Sequence, residues 1–238
     1  MNKAIFSTEN FHWKNLYTIG AVASLLQLGV ILAYMVVVAT LGPRITSAEE
    51  FFAVQQTNLL ASLVRVDFLL LILVGLYLGN FPALLVALWR VNPIWTLFAT
   101  LFTVIAVILS FANESTFSLW HLGNLYATAG EAQRVQLLAA GEAVMAAGWW
   151  NSSASYVTGI LLQGSGVIIS LVMLRSQDFS KVTAISGLLG NAFDLAQHLV
   201  HPFAPSISSF FSILLVIYFV WYPMLARDLF RLAKAQTK

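Results

Sequence analysis

Six long apolar runs divide the chain: Leu16–Leu41, Leu59–Leu88, Ile94–Phe111, Tyr156–Leu174, Val182–Val200 and Ile207–Leu229. About 20 mostly apolar residues, rising 1.5 Å each as a helix, cross the hydrocarbon of a bilayer. Each run therefore predicts a membrane-spanning helix. The runs are continuous, whereas the wall of a barrel alternates in polarity along short segments. The expected fold class is all-α: a polytopic membrane helix bundle of about six transmembrane helices, with 1–238 as a single transmembrane domain. Gly42-Pro43 ends the first run and Pro202 the fifth. The second run is long enough to need tilt or a kink. Gly79-Asn80-Phe81-Pro82 predicts the kink there, since proline removes a helix hydrogen bond.

Two segments fall outside the runs. Ser47–Thr57 reads as a short amphipathic lead-in to the second span. Asn113–Trp150 is the longest connection, and Thr128-Ala129-Gly130-Glu131 within it has the spacing of a capping box. A helix is expected from there towards Trp149-Trp150. It carries Glu131, Gln133, Arg134, Gln136 and Glu142, which suits a helix lying at the interface, and paired tryptophans suit the headgroup level. The other tryptophans and the tyrosines are expected to anchor the interface as well.

Composition agrees with lipid as the solvent. Of the 238 residues, 59% are hydrophobic and 9% charged, against about 25% charged in an ordinary soluble domain. The basic residues stand at the ends of apolar runs and form no stripe, so nucleic acid is not an expected partner. There is no cysteine, which excludes disulfides, thiolate metal sites and cysteine nucleophiles. The first run is too long for the apolar core of a signal peptide and reads as a retained span.

Charge also predicts orientation. With the N-terminus inside, Lys3, Lys14, Arg90, Arg175, Lys181, Arg227, Arg231, Lys234 and Lys238 are cytoplasmic. Arg44 and Arg134 fall outside, and Arg65 lies within the second span. The positive-inside rule favours this arrangement, with both termini cytoplasmic in a cell membrane. A seventh span over Val135–Trp150 would move the basic tail outside.

A short likeness links the two halves. Leu25-Leu26-Gln27 with Gly29-Val30-Ile31 matches Leu161-Leu162-Gln163 with Gly166-Val167-Ile168 across a gap. The two spans run in opposite directions, as an inverted three-plus-three repeat requires.

The stretch Asn124–Ser176, with LYATAGEAQRVQLLAAGEAVMAAG and a span ending LVMLRS, is the most distinctive text. Together with RVNP at Arg90–Pro93 and WYPMLARDLFRL at Trp221–Leu232, it resembles a family of bacterial integral membrane proteins, domain of unknown function 4386. The likeness covers most of the chain, and Tyr126–Gly141 is its clearest motif. It implies a bacterial inner-membrane protein with six helices. It implies no mechanism, and it assigns no role to Asp194, His198 or His201.

Ionisable groups within spans are costly and usually face a bundle interior or a wet cavity. The second span carries Arg65 and Asp67, which point about 200° apart on a helix. The fifth carries Ser186, Gly190, Asp194 and His198 at i, i+4 spacing, with Asn191 and His201 near the same stripe. Gly159, Gln163, Gly166 and Ser170 make a matching stripe on the fourth span, so these two faces are expected to meet. Arg65 and Asp194 each lie about six residues from the outer end of their spans, roughly 9 Å deep, and an ion pair between them is expected. One carboxylate and two imidazoles, Asp194, His198 and His201, also form a partial divalent-metal ligand set. His121 or Glu142 from the outer connection would complete it.

Three functions fit these residues. The leading one is binding or transport of a small apolar or amphipathic molecule in an outward-facing polar cavity, with the long connection as a lid. The second is a metal-dependent intramembrane hydrolase. The third is a structural or regulatory membrane protein without a ligand. Oligomeric state is not encoded in any pattern that can be read.

Overall fold

The computed structural model describes residues 13–148 and 152–236, and among these every regular element is helical. Trp149, Trp150, Asn151, Lys3 and Lys238 lie outside the described residues. Among the described residues, four helical stretches are long and apolar enough to cross a membrane: Lys14–Leu41, Phe68–Leu88, Pro93–Thr128 and Ser153–Met173, the second and third of which are each interrupted once.

In chain order the elements are α1 (Lys14–Leu41), α2 (Ala48–Thr57), α3 (Leu59–Val64), α4 (Phe68–Gly75), α5 (Tyr77–Leu88) and α6 (Pro93–Ala112). They continue as α7 (Thr116–Thr128), α8 (Glu131–Ala146), α9 (Ser153–Met173), α10 (Lys181–Val200), α11 (Pro205–Leu214) and α12 (Tyr218–Ala235). A short 3₁₀ turn, Leu215–Ile217, joins the last two. Local chemistry explains several starts. The side chains of Ser47, Asn58, Asn92, Ser152 and Ser180 each accept the backbone N–H three residues on, at 3.0–3.2 Å, satisfying one orphan donor of a helix N-terminus. Pro93 follows Asn92 at the first helical position, where its missing N–H costs nothing.

Three sequence expectations need correction. The second run does not kink at Gly79–Pro82. It breaks at 65–67 and again at Leu76, and Pro82 sits inside α5. The first break is where Arg65 and Asp67 stand, and both leave the helix line to reach partners described below. The long connection holds two helices, of which α7 had no predicted counterpart. The expected capping box also does not form: Gly130 occupies the N-cap of α8 without a side-chain bond, and the Thr128 hydroxyl donates to the Leu125 carbonyl at 3.3 Å.

α1 seats on α5 and α12, while α9 seats on α10 and α6; α5 touches α6, and α10 touches α12. Exchanging α1, α5 and α6 for α9, α10 and α12 leaves this set of neighbours unchanged, as a three-plus-three repeat requires. The matched glutamines fall in the corresponding helices α1 and α9. Each is buried and accepts one side-chain hydrogen bond. Asn80 Nδ2 donates to Gln27 Oε1 at 2.7 Å, and the Tyr218 hydroxyl lies 3.2 Å from Gln163 Oε1. Close approach of α1 and α5 uses small residues, Gly20 against Ala83 and Gly79 against Ala23.

Two apolar cores result. The larger joins α1, α5, α6, α9, α10 and α12 around Phe81, Leu84, Leu88, Ile169, Trp221, Leu225 and Leu229, all essentially inaccessible. The smaller lies at the other end of the bundle, where α2, α7 and α8 form a cap around Ile45, Phe51, Phe52 and Leu119. The buried residues of α1 all lie between Tyr17 and Gln27. Its second half is more exposed, and Val30, Ile31, Tyr34 and Met35 on one flank of it line the cavity described next.

Candidate functional site

The cavity of about 590 Å³ lies between α1, α4, α9, α10 and the α11–α12 junction. This is the size of a small-molecule site. Its walls are mostly apolar, with Ile31, Leu70, Leu73 and Leu162 among them, and its polar groups converge from separate elements: Asp67, Gln163, Asp194, His198 and Tyr218.

The deep end is a connected network. His198 Nδ1 lies 2.9 Å from the carbonyl of Asp194, one turn back, and 3.3 Å from its carboxylate. Both neighbours are acceptors, so Nδ1 carries the proton. The Tyr218 hydroxyl lies 3.2 Å from Asp194 Oδ2 and 3.2 Å from Gln163 Oε1. A single hydroxyl hydrogen serves one of these acceptors at a time. The Tyr77 and Tyr222 hydroxyls share a hydrogen bond of 2.9 Å beside it, and Tyr218 stacks on Tyr222 with ring centroids 5.4 Å apart.

Two glycines of α9 make room for this arrangement. A Cβ on Gly159 would fall 1.9 Å from His198 Cδ2, and one on Gly166 would fall 2.0 Å from Asn191 Oδ1. The α9 stripe expected from sequence is therefore the one that meets α10. On α10 the matching face begins one position on from the expected Ser186–Gly190 pair, about 100° round the helix. Gly187, Asn191 and His198 face α9, with Gly187 admitting Ser170 and the indole of Trp221. Gly190 faces Ile217 and Tyr218, and Ser186 bonds back to the Val182 carbonyl at 2.7 Å.

The shallow end carries an ion pair, Arg44 Nη2 to Asp67 Oδ2 at 2.7 Å. Tyr34 and Met35 on α1 form one lip, and Ile213 and Val216 form the other. These four are 39–71% exposed, so the opening is lateral and apolar.

Arg65 does not pair with Asp194. It is anchored in the cap, with Nη2 on Glu50 Oε1 at 2.5 Å and Nε on the Pro43 carbonyl at 2.9 Å. Matched depth requires an unbroken second span, and the break at 65–67 turns this guanidinium away from the cavity. The metal set does not assemble either: among the described residues no three His, Asp or Glu side chains are grouped to hold an ion. His201 stands at the end of α10, outside the cavity lining. His121 is exposed on α7, and Glu142 accepts the Ala48 N–H at 2.8 Å, capping α2. Asn191 donates to the Gly187 carbonyl at 2.7 Å and lies against α9.

Sequence reasoning missed Tyr77, Tyr218, Tyr222 and Arg44. The tyrosines were expected at the interface, but these three are at most 7% exposed. The available signal was the spacing of Tyr218, Trp221 and Tyr222, which puts three large rings on one helical face. The chain matches no protein-family model, and no curated protein or solved structure is significantly similar to it.

Proposed function

We propose that this is a six-span membrane protein whose cap-side cavity binds, and in a transport cycle carries, a small amphipathic molecule. One observation carries the reading. Asp67, Gln163 and the Asp194–His198 pair, on three segments far apart in sequence, converge on one largely apolar cavity. A polar headgroup finds donors and acceptors at Asp194, His198, Tyr218 and Gln163. An apolar tail lies against Ile31, Leu70 and Leu73. The side opening between Tyr34 and Ile213 gives such a molecule a path from the hydrocarbon.

The six-span reading rests on where polarity sits. α10 is 20 residues long, about 30 Å at the helix rise. Its mean hydropathy is lowered by Asn191, Asp194, Gln197 and His198, all of which are turned inward, while its exposed face is Val182, Ile185, Leu189 and Leu199. The exposed side of α11 and the following turn is equally apolar, with Ile207, Phe210, Ile213 and Val216. The charge asymmetry puts the cap outside and both termini in the cytoplasm of a bacterial cell. α2, α7 and α8 then form the outer connection, with α8 as the interfacial helix. The likeness to domain of unknown function 4386 belongs to the same reading.

Thermal unfolding in neutral detergent tests the binding claim. A panel of single-chain amphiphiles with cationic, anionic and neutral heads is added to wild type and to Leu73→Trp, which puts a bulky ring where the tail would lie. At least one head class should raise the wild-type midpoint, and the shift should vanish in Leu73→Trp. Shifts of equal size in both proteins would mean ordinary detergent effects and would defeat the proposal.

A further inference from the structure

A second groove lies at the opposite end of the bundle, between α1 and α12. It is an open groove of about 490 Å³ with two distinct ends. Leu25, Pro223 and Ala226 form an apolar floor, while Arg227, Arg231 and Lys234 stand at i, i+4 and i+7 on the same face of α12. From Pro223 to Lys234 the groove runs about 17 Å along the helix. Apolar depth followed by a cationic mouth is the profile of a phospholipid, acyl chain first and phosphate last.

A row of cations at a helix end is usually a solvated face. Two observations set this one apart. First, among the described residues two of the three cations, Arg227 and Lys234, lack an anionic partner. Arg227 reaches the Met224 thioether at 3.8 Å. The nearest acid, Asp228, is fully buried and already engaged. Its Oδ2 accepts the Ser180 N–H at 2.8 Å and the Thr183 hydroxyl at 2.6 Å, which ties α12 to the start of α10. Second, Arg231 is oriented in advance by the Asp178 carbonyl and by Asp228 Oδ1 at 3.6 Å. A fixed guanidinium loses less entropy on meeting a phosphate and can bind it through two nitrogens. Phe230 lines the groove beside the cations.

We infer that this groove is a binding site for an anionic phospholipid of the leaflet at the basic end, with the phosphate held by Arg227, Arg231 and Lys234. Basic recesses between spans on the cytoplasmic side suit such headgroups. The site is independent of the cap-side cavity and rests only on α1 and α12 crossing the membrane.

Native mass spectrometry on the full chain tests it, with phosphatidylglycerol and phosphatidylcholine of identical chains titrated in one detergent. The wild type should retain phosphatidylglycerol preferentially. Arg227→Gln with Lys234→Gln should weaken that retention roughly thirtyfold, at about fivefold per cation. Arg134→Gln, at the other end of the molecule, should not change it. Leu25→Trp leaves the charges but fills the floor, and it too should weaken retention. Its retention guards against a double variant that fails to fold. Equal retention of both lipids, or unchanged preference in Leu25→Trp, would overturn the proposal. So would full competition by inorganic phosphate at matched concentration, which would identify a soluble-anion site instead.

Discussion

At the scale of single residues, two charges that share three positions of sequence have separate fates. Arg65 holds the cap and Asp67 faces the cavity. Glu50→Ala should leave Nη2 of the Arg65 guanidinium, which is only 10% exposed, without its side-chain acceptor. The cost should be roughly 1–3 kcal/mol, the range for an orphaned buried polar group, and adding Arg65→Gln should recover part of it. A double-mutant cycle on unfolding midpoints measures this; strictly additive losses would show that the pair is idle. Glycine 159 is equally specific. A methyl there collides with the His198 ring, so Gly159→Ala should cost about 1–3 kcal/mol as overpacking. Gly164, on the same helix, has nothing within 4 Å of its would-be Cβ. Gly164→Ala should be neutral or stabilising by up to about 1 kcal/mol, since alanine favours helix.

At the scale of elements, the apolar runs located every long helix, because a continuous hydrophobic stretch needs no tertiary information to be read. The interruptions were not readable in the same way. Pro82 predicts a kink in α5, but the first break falls where Arg65 and Asp67 turn towards Glu50 and Arg44, partners that only the folded chain supplies, and the second falls at Leu76. α7 escaped notice because its signals, Phe117, Trp120 and Leu125 among polar residues, match neither a span nor a strongly amphipathic surface helix. The stripe of α9 was legible from Gly159, Gln163, Gly166 and Ser170. The stripe of α10 was legible only to within one position, since Ser186–Gly190 and Gly187–Asn191 differ by a 100° turn. That correction carries its own test. Gly190→Leu should destabilise by more than about 1 kcal/mol, because its Cβ meets Ile217 Cγ2 at 2.9 Å and Tyr218 Cε1 at 3.1 Å. Leu188→Ile should be tolerated. Because the nearest neighbours of Gly190 are Ile217 and Tyr218, the Leu variant should also disturb the Tyr218 network; a variant that unfolds like wild type would show that this contact is slack.

At the scale of the molecule, the two halves share one set of neighbours but differ in what they enclose. The basic half is sealed by Leu84, Leu88, Leu225 and Leu229, while the cap half is parted between α1 and α11. Orientation is testable by reporter fusions: positions 178 and the C-terminus should read cytoplasmic and position 130 external, and a cytoplasmic reading at 130 would break the six-span account. Of the candidate site, Asp67, Gln163, Asp194 and His198 were visible in sequence as polar residues within apolar runs. The tyrosines and Arg44 were not, because aromatic rings are equally at home at an interface and in a core. The metal set failed because His201 follows α10 past its last turn, beyond the cavity. The central claim is that the cavity is wet and reachable up to the Asp194 network. The chain has no cysteine, so a single introduced thiol reports without background. Leu73→Cys should react with a small charged methanethiosulfonate in intact membranes, while Leu84→Cys in the sealed half and Ile213→Cys on the apolar lip should stay unmodified. If Leu73→Cys is as inert as Leu84→Cys in protein shown to be folded, the cavity is closed to water and the account is wrong.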